Sequence, residues 1–169
     1  MTSDAELSGL AAELASALRT RSLQLVTAES CTGGWVGKVL TEIPGSSAWY
    51  LGGVVSYSNA LKTSLLGVQP DTLAAHGAVS PDTAREMALG AVARCGGTCG
   101  LSVTGIAGPD GGTADKPVGL VWFGWAVRQG DQIVARVAQE CFAGDRDSVR
   151  RQAVVRALRG MIEVVASDG

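Results

Sequence analysis

The sequence predicts an α/β fold of three layers, α/β/α, around a mixed sheet of about five strands. Helical and strand-like segments interleave along the chain, the pattern of a sheet covered by helices. A hairpin signal in the last third adds antiparallel strands to an otherwise parallel arrangement. The composition, 46% hydrophobic and only 18% charged over 169 residues, suits one packed domain spanning residues 1–169 and excludes a disordered chain.

The elements follow in order. Residues 3–19 place Leu7, Leu10, Leu14 and Leu18 on one face, the spacing of an amphipathic helix. Residues 23–27 form a short apolar run, read as a buried strand. It leads through Glu29-Ser30-Cys31-Thr32-Gly33-Gly34 into a helix over 35–43, stopped by Pro44-Gly45. Residues 53–57 read as a second strand. Ser58 or Asn59 caps a helix over 60–66 that ends at Gly67. A short helix covers 72–76. Ser80-Pro81 opens another that runs to about residue 94, with proline at its first position. Residues 100–104 are a third strand, entering a glycine-rich loop. Residues 118–127 and 132–141 are two strands joined by Arg128-Gln129-Gly130-Asp131. Residues 145–165 form the last helix, with Val154, Leu158, Met161 and Val165 inward.

Charge and rare residues exclude several functions. Fourteen Lys and Arg against sixteen Asp and Glu leave a net charge of −2, unsuited to a broad nucleic-acid surface. No apolar run reaches the ~20 residues that span a bilayer. The first residues, Met1-Thr2-Ser3-Asp4-Ala5-Glu6, are acidic and polar, unlike a secretory signal. A cytoplasmic protein is expected. The four cysteines, at 31, 95, 99 and 141, offer no second pair to complete a zinc site. His76 is the only histidine and reads as the end of a helix stopped by Gly77, so neither a multi-histidine metal centre nor a Ser-His-Asp triad is expected. No metal and no cofactor are called for.

Chemistry is expected in the three loops that follow strands, 29–34, 56–62 and 104–113, because open α/β sheets bind ligands at the carboxyl ends of their strands. Thr32, Gly33 and Gly34 stand at a helix N-terminus, where free N–H groups attract a phosphate or carboxylate; a plain strand-to-helix turn capped by Ser30 or Thr32 reads equally well. The 104–113 loop is rich in unrestricted backbone positions and reads as ligand-facing. Without a histidine base, a serine nucleophile needs another partner. Lys62, in the first turn of a helix, is one: burial and the positive end of the helix dipole both disfavour its ammonium form. Ser46-Ser47 supplies hydroxyls and Tyr57 a proton relay. The plainer reading of Lys62 is a surface lysine.

Taken together and in order, these motifs resemble one family. Thr27-Ala28-Glu29-Ser30-Cys31-Thr32-Gly33-Gly34 is followed by Gly45-Ser46-Ser47, Tyr57-Ser58-Asn59 with Lys62, and Gly77-Ala78-Val79-Ser80. Thr104-Gly105-Ile106-Ala107-Gly108-Pro109-Asp110-Gly111-Gly112-Thr113, Lys116-Pro117-Val118-Gly119 and Phe142 with Gly144-Asp145-Arg146 complete the set. The chain resembles the CinA C-terminal domain, whose stand-alone members are nicotinamide-nucleotide amidohydrolases. The resemblance implies hydrolysis of the carboxamide of nicotinamide mononucleotide (NMN) to nicotinate mononucleotide and ammonia, by a Ser–Lys pair without a metal. The matching positions are Ser47 as nucleophile and Lys62 as base, with Tyr57 as the nearby hydroxyl. For such a substrate, Thr32, Gly33, Gly34, Thr104, Gly105, Gly108 and Arg146 are candidates for the phosphate and backbone near Ser46 for the oxyanion, while Glu29 reads equally as a ribose ligand or as a structural part of its turn. The resemblance also implies a homo-oligomer, a dimer in first place, with no nucleic-acid or membrane partner.

Three other readings make different predictions. A metal-dependent phosphohydrolase would gather Glu29, Asp110 and Asp115 as ligands. A non-catalytic module would bind a mononucleotide and release no ammonia. A cysteine enzyme would use Cys31, beside a helix N-terminus that stabilises thiolates.

Overall fold

The computed structural model describes residues 3–167. Six helices surround five strands: α1 (Asp4–Thr20), β1 (Leu25–Glu29), α2 (Trp35–Thr41), β2 (Tyr50–Val55), α3 (Asn59–Leu66), α4 (Pro70–His76), α5 (Pro81–Cys95), β3 (Cys99–Gly105), β4 (Leu120–Gln129), β5 (Gln132–Cys141) and α6 (Arg146–Ser167). A 3₁₀ turn, Ser46–Ala48, precedes β2. The sheet order is β2-β1-β3-β4-β5. β1 runs parallel to β2 and β3, while β3, β4 and β5 alternate in direction. The mixed sheet is the expected one.

Burial explains the layers. β1 is buried at all five residues, as a strand covered on both faces must be. Leu25, Leu101, Phe123 and Trp125 pack with Leu14 of α1, Val36 of α2 and Leu158 of α6 on one face. Val26 and Ala28 pack with Leu66 of α3 and Met87 and Ala91 of α5 on the other. Two glycines permit this closeness. A Cβ at Gly90 would overlap the Leu66 carbonyl, and one at Gly160 would overlap the Trp125 ring, whose Nε1 donates to the Ala157 carbonyl at 3.0 Å.

Ser58 and Ser80 cap as read, accepting from the N–H groups of Leu61 and Thr83, and the Ser3 hydroxyl caps α1 by accepting from Glu6 N–H, each satisfying an otherwise unpaired helix donor. β1, β2 and β4 are offset from expectation, with β4 running Leu120–Gln129 in place of 118–127. β1 starts two residues later because residues 21–23 still close the end of α1, with Leu23 N–H donating to the Leu18 carbonyl at 2.9 Å. β2 starts three residues earlier and ends before Tyr57. Gly52 and Gly53 lie inside it, and Gly53 is required there: a Cβ would overlap the Thr27 hydroxyl. No helix among the described residues is long and apolar enough to cross a membrane.

Candidate active site

The carboxyl ends of β1, β2 and β3 open onto one cavity of about 280 Å³, at the small end of ligand-pocket sizes. Ser30 and Cys31 leave β1, Tyr57 and Lys62 follow β2, Thr104 and Gly105 end β3, and Ile106 to Gly108 follow it; all line the cavity, together with Arg146 at the start of α6.

Lys62 lies in the first turn of α3, where a side chain leans back toward the helix N-terminus. It therefore folds over the exit of β2 and is only 1% exposed. Its Nζ donates to the Ser56 carbonyl at 2.7 Å and the Tyr57 carbonyl at 3.3 Å. Its third contact is the Ser30 hydroxyl, at 3.0 Å. Burial lowers its pKa from 10.5 to about 8, slightly opposed by the Cys31 sulfur. With the amine uncharged, two N–H groups serve the two carbonyls, and the lone pair remains for the Ser30 O–H. That is the geometry of a general base and its nucleophile.

The structure does not bring Ser47 and Lys62 together. The 3₁₀ turn carrying Ser46 and Ser47 enters the amino end of β2, whereas Lys62 follows its carboxyl end. Six residues of strand separate them, about 20 Å at ~3.4 Å per residue. Neither serine lines the cavity. The hydroxyl beside the Lys62 amine is that of Ser30, which the sequence offers as a helix cap. The signal was there: a serine directly after a buried parallel strand and before a helix, at the end of the sheet where ligands bind.

Glu29 and the Thr32-Gly33-Gly34 turn are bonded to one another rather than open to the cavity. The Glu29 carboxylate, 2% exposed, accepts from the N–H groups of Gly34, Val36 and Gly37 at 3.0, 3.1 and 2.9 Å. It occupies the N-terminus of α2 and does not line the cavity. The Gly33 N–H is spent on the Ser30 carbonyl at 3.0 Å. Thr32 is fully buried.

The remaining candidates stand at the cavity. Arg146 donates to the Gly108 carbonyl at 2.8 Å and to the Tyr57 hydroxyl at 3.1 Å, tying the 105–119 loop to the mouth, where Tyr57 is 60% exposed. The Thr104 hydroxyl donates to the Ala78 carbonyl at 2.8 Å, fixing the wall formed by Ala78 and Val79. Gly105 allows the chain to pass against the Leu120 carbonyl. Cys31 makes a poor nucleophile: it is buried, and burial pushes its thiol up to about 12. Among the described residues no three His, Cys, Asp or Glu side chains gather as metal ligands, so Glu29, Asp110 and Asp115 form no common site.

Comparison with known proteins follows the same lines. The CinA C-terminal domain model matches residues 7–165. The nicotinamide-nucleotide amidohydrolase PncC of Escherichia coli K12 is 52% identical over 156 residues, 92% of this chain and 93% of that protein. The protein of the same name from Pseudomonas putida is 45% identical over 92% of this chain. Among solved structures, the competence/damage inducible protein CihA of Agrobacterium tumefaciens superposes with a TM-score of 0.88 at 40% identity, covering 94% of this chain and 95% of that one.

Proposed function

Since the chain belongs to the CinA C-terminal domain family, we propose that it is a nicotinamide-nucleotide amidohydrolase in which Ser30 is the nucleophile and Lys62 the base. The reading is carried by the contact of the Lys62 amine with the Ser30 hydroxyl at 3.0 Å, with two carbonyls taking the amine's own protons. The Ser30 oxygen attacks the carboxamide carbon of NMN as its proton passes to Lys62. The tetrahedral intermediate collapses, the C–N bond breaks, and Lys62 returns the proton to the departing nitrogen as ammonia. Water, deprotonated by the same amine, cleaves the resulting ester and frees nicotinate mononucleotide. No step calls for a metal or cofactor.

Arg146 is the group suited to the substrate's phosphate, through a two-pronged guanidinium contact. Tyr57, braced by Arg146, orients the ring at the mouth, and the 104–108 backbone forms the facing wall. The deciding experiment is ammonia release from NMN by Ser30→Ala, Ser47→Ala and Lys62→Met. Ser30→Ala and Lys62→Met should each lose at least ~10³-fold in kcat, and Ser47→Ala less than ~5-fold. Full activity in Ser30→Ala refutes the assignment. A non-catalytic module would bind NMN in all forms and release no ammonia from any.

We also infer a homodimer in the cytoplasm, where the four free cysteines find a reducing setting. Support comes from the unpaired outer edge of β2. Residues 43–61 carry no charge. Leu51, Val55, Tyr57, Leu61 and Leu65 supply most of the large apolar side chains exposed among the described residues. An edge strand without charge or proline is open to pairing, and the face that matches it best is its own copy, across a two-fold axis. Leu51→Lys should yield a monomer by light scattering; an unchanged mass would remove this edge as the interface.

A further inference from the structure

Among the described residues, two neighbouring backbone donors beside Ser30 have no oxygen acceptor. Among the described residues the Thr32 N–H makes no hydrogen bond, and the Cys31 N–H meets only its own sulfur. Both residues are buried, Thr32 at 0% and Cys31 at 5% exposure, where an unpaired N–H is costly and rare. The Thr32 hydroxyl, equally buried, is unpartnered too. Three idle polar groups next to a nucleophile mark a place prepared for negative charge.

The turn's own bonds aim these donors. A peptide is planar and trans, so its N–H points opposite to its C=O. The Ser30 carbonyl accepts from Gly33 N–H, which turns the Cys31 N–H the other way. The Cys31 carbonyl accepts from Arg150 Nε at 3.0 Å, which turns the Thr32 N–H away from Arg150. The same guanidinium donates a second bond, to the Thr32 carbonyl at 3.1 Å. Its plane is seated on the Trp35 ring, with 5.3 Å from its carbon to the ring centre. Gly33 sits against it: a Cβ there would come to 3.5 Å from its NH2.

We propose that Arg150 is a positioning residue of the amidase. By gripping the Cys31 and Thr32 carbonyls from outside, it holds the Cys31 and Thr32 N–H groups toward the oxygen that becomes an oxyanion when Ser30 attacks. The proposal rests on Ser30 being the nucleophile and concerns how the charge formed in that attack is stabilised. Donors fixed in advance help the transition state more than the ground state. Loss of Arg150 therefore acts on kcat, with little change in the concentration of NMN that half-saturates the enzyme.

The test uses the whole chain, with NMN as substrate, Arg150→Ala and Arg150→Lys as variants, and thermal melting as a check on folding. Arg150→Ala should lower kcat about 100-fold with KM within about 3-fold. Free guanidinium at tens of millimolar should restore at least tenfold of the loss, and the midpoint of the pH profile should stay in place. Arg150→Lys, with one donor centre for two carbonyls, should lie between. If Arg150→Ala does not fold, the Arg150→Lys protein decides, with kcat down about tenfold at unchanged KM. Unchanged kcat in a folded variant, or a loss that tracks the unfolded fraction and resists guanidinium, overturns the proposal. Activity surviving in Ser30→Ala instead overturns the nucleophile assignment beneath it.

Discussion

The buried amine sets a pH dependence that can be worked out beforehand. A midpoint of about 8 in place of 10.5 raises the uncharged share of Lys62 at pH 7 from roughly 0.03% to roughly 9%, about 300-fold. Only the uncharged form can take the Ser30 proton. Ammonia release from NMN at low substrate, followed from pH 5.5 to 9.5, should therefore climb tenfold per pH unit below 7 and level off above about 8.5. The same shift has a cost in stability. Between about 8 and 10.5 the unfolded chain binds more protons at Lys62 than the folded one, so stability rises with pH across that window. Below it the penalty is constant, about 3 kcal/mol at 1.36 kcal/mol per unit. Denaturant unfolding at pH 7.5, 9 and 10.5 should show this rise in the wild type and lose it in Lys62→Met. A flat rate profile between pH 6 and 8, or a midpoint near 10, refutes the base assignment.

Glu29→Ala should leave three N–H groups of the α2 turn unpaired, that of Val36 buried and those of Gly34 and Gly37 half-buried, and cost about 3 kcal/mol, read by urea unfolding; a cost under 1 kcal/mol contradicts the structural role given to this carboxylate. Iodoacetamide at pH 7.5 should label the exposed Cys95 and Cys141 and spare the buried Cys31, as peptide mass mapping will show, with activity retained. Alkylation of Cys31 in step with inactivation would restore the cysteine reading. Arg146→Lys keeps the charge but loses the two-pronged contact, and should raise KM for NMN about tenfold with kcat nearly unchanged; an unaltered KM places the phosphate elsewhere.

The layers of this fold were legible because they rest on local signals. The Leu7, Leu10, Leu14 and Leu18 stripe, the Ser80-Pro81 start and the hairpin at Gly130 each carry their meaning within a few residues. The cavity was legible in outline, since three strand exits had to converge. The pairing inside it was not. Whether Lys62 meets Ser30 or Ser47 depends on which end of β2 each serine occupies, and the Gly52-Gly53 pair, read as a strand start, hid three residues of that strand. Glu29 was ambiguous for a different reason. A carboxylate before a glycine turn serves a ligand or the turn's own donors equally well, and only the aim of its oxygens toward Gly34, Val36 and Gly37 decides. Arg150 gave no signal, because its partners are main-chain carbonyls more than a hundred positions away.

That the first turns of α6 reach both rims of the cavity bears on when the enzyme comes into being. Serine and lysine both belong to the first half of the polypeptide, yet one rim is clasped through Arg146 and the other through Arg150, near the end of synthesis. A ribosome-bound chain stalled before that helix, or one clipped ahead of it by a protease, would hold the reactive pair in an unbraced crevice. Turnover should begin only once the tail has docked.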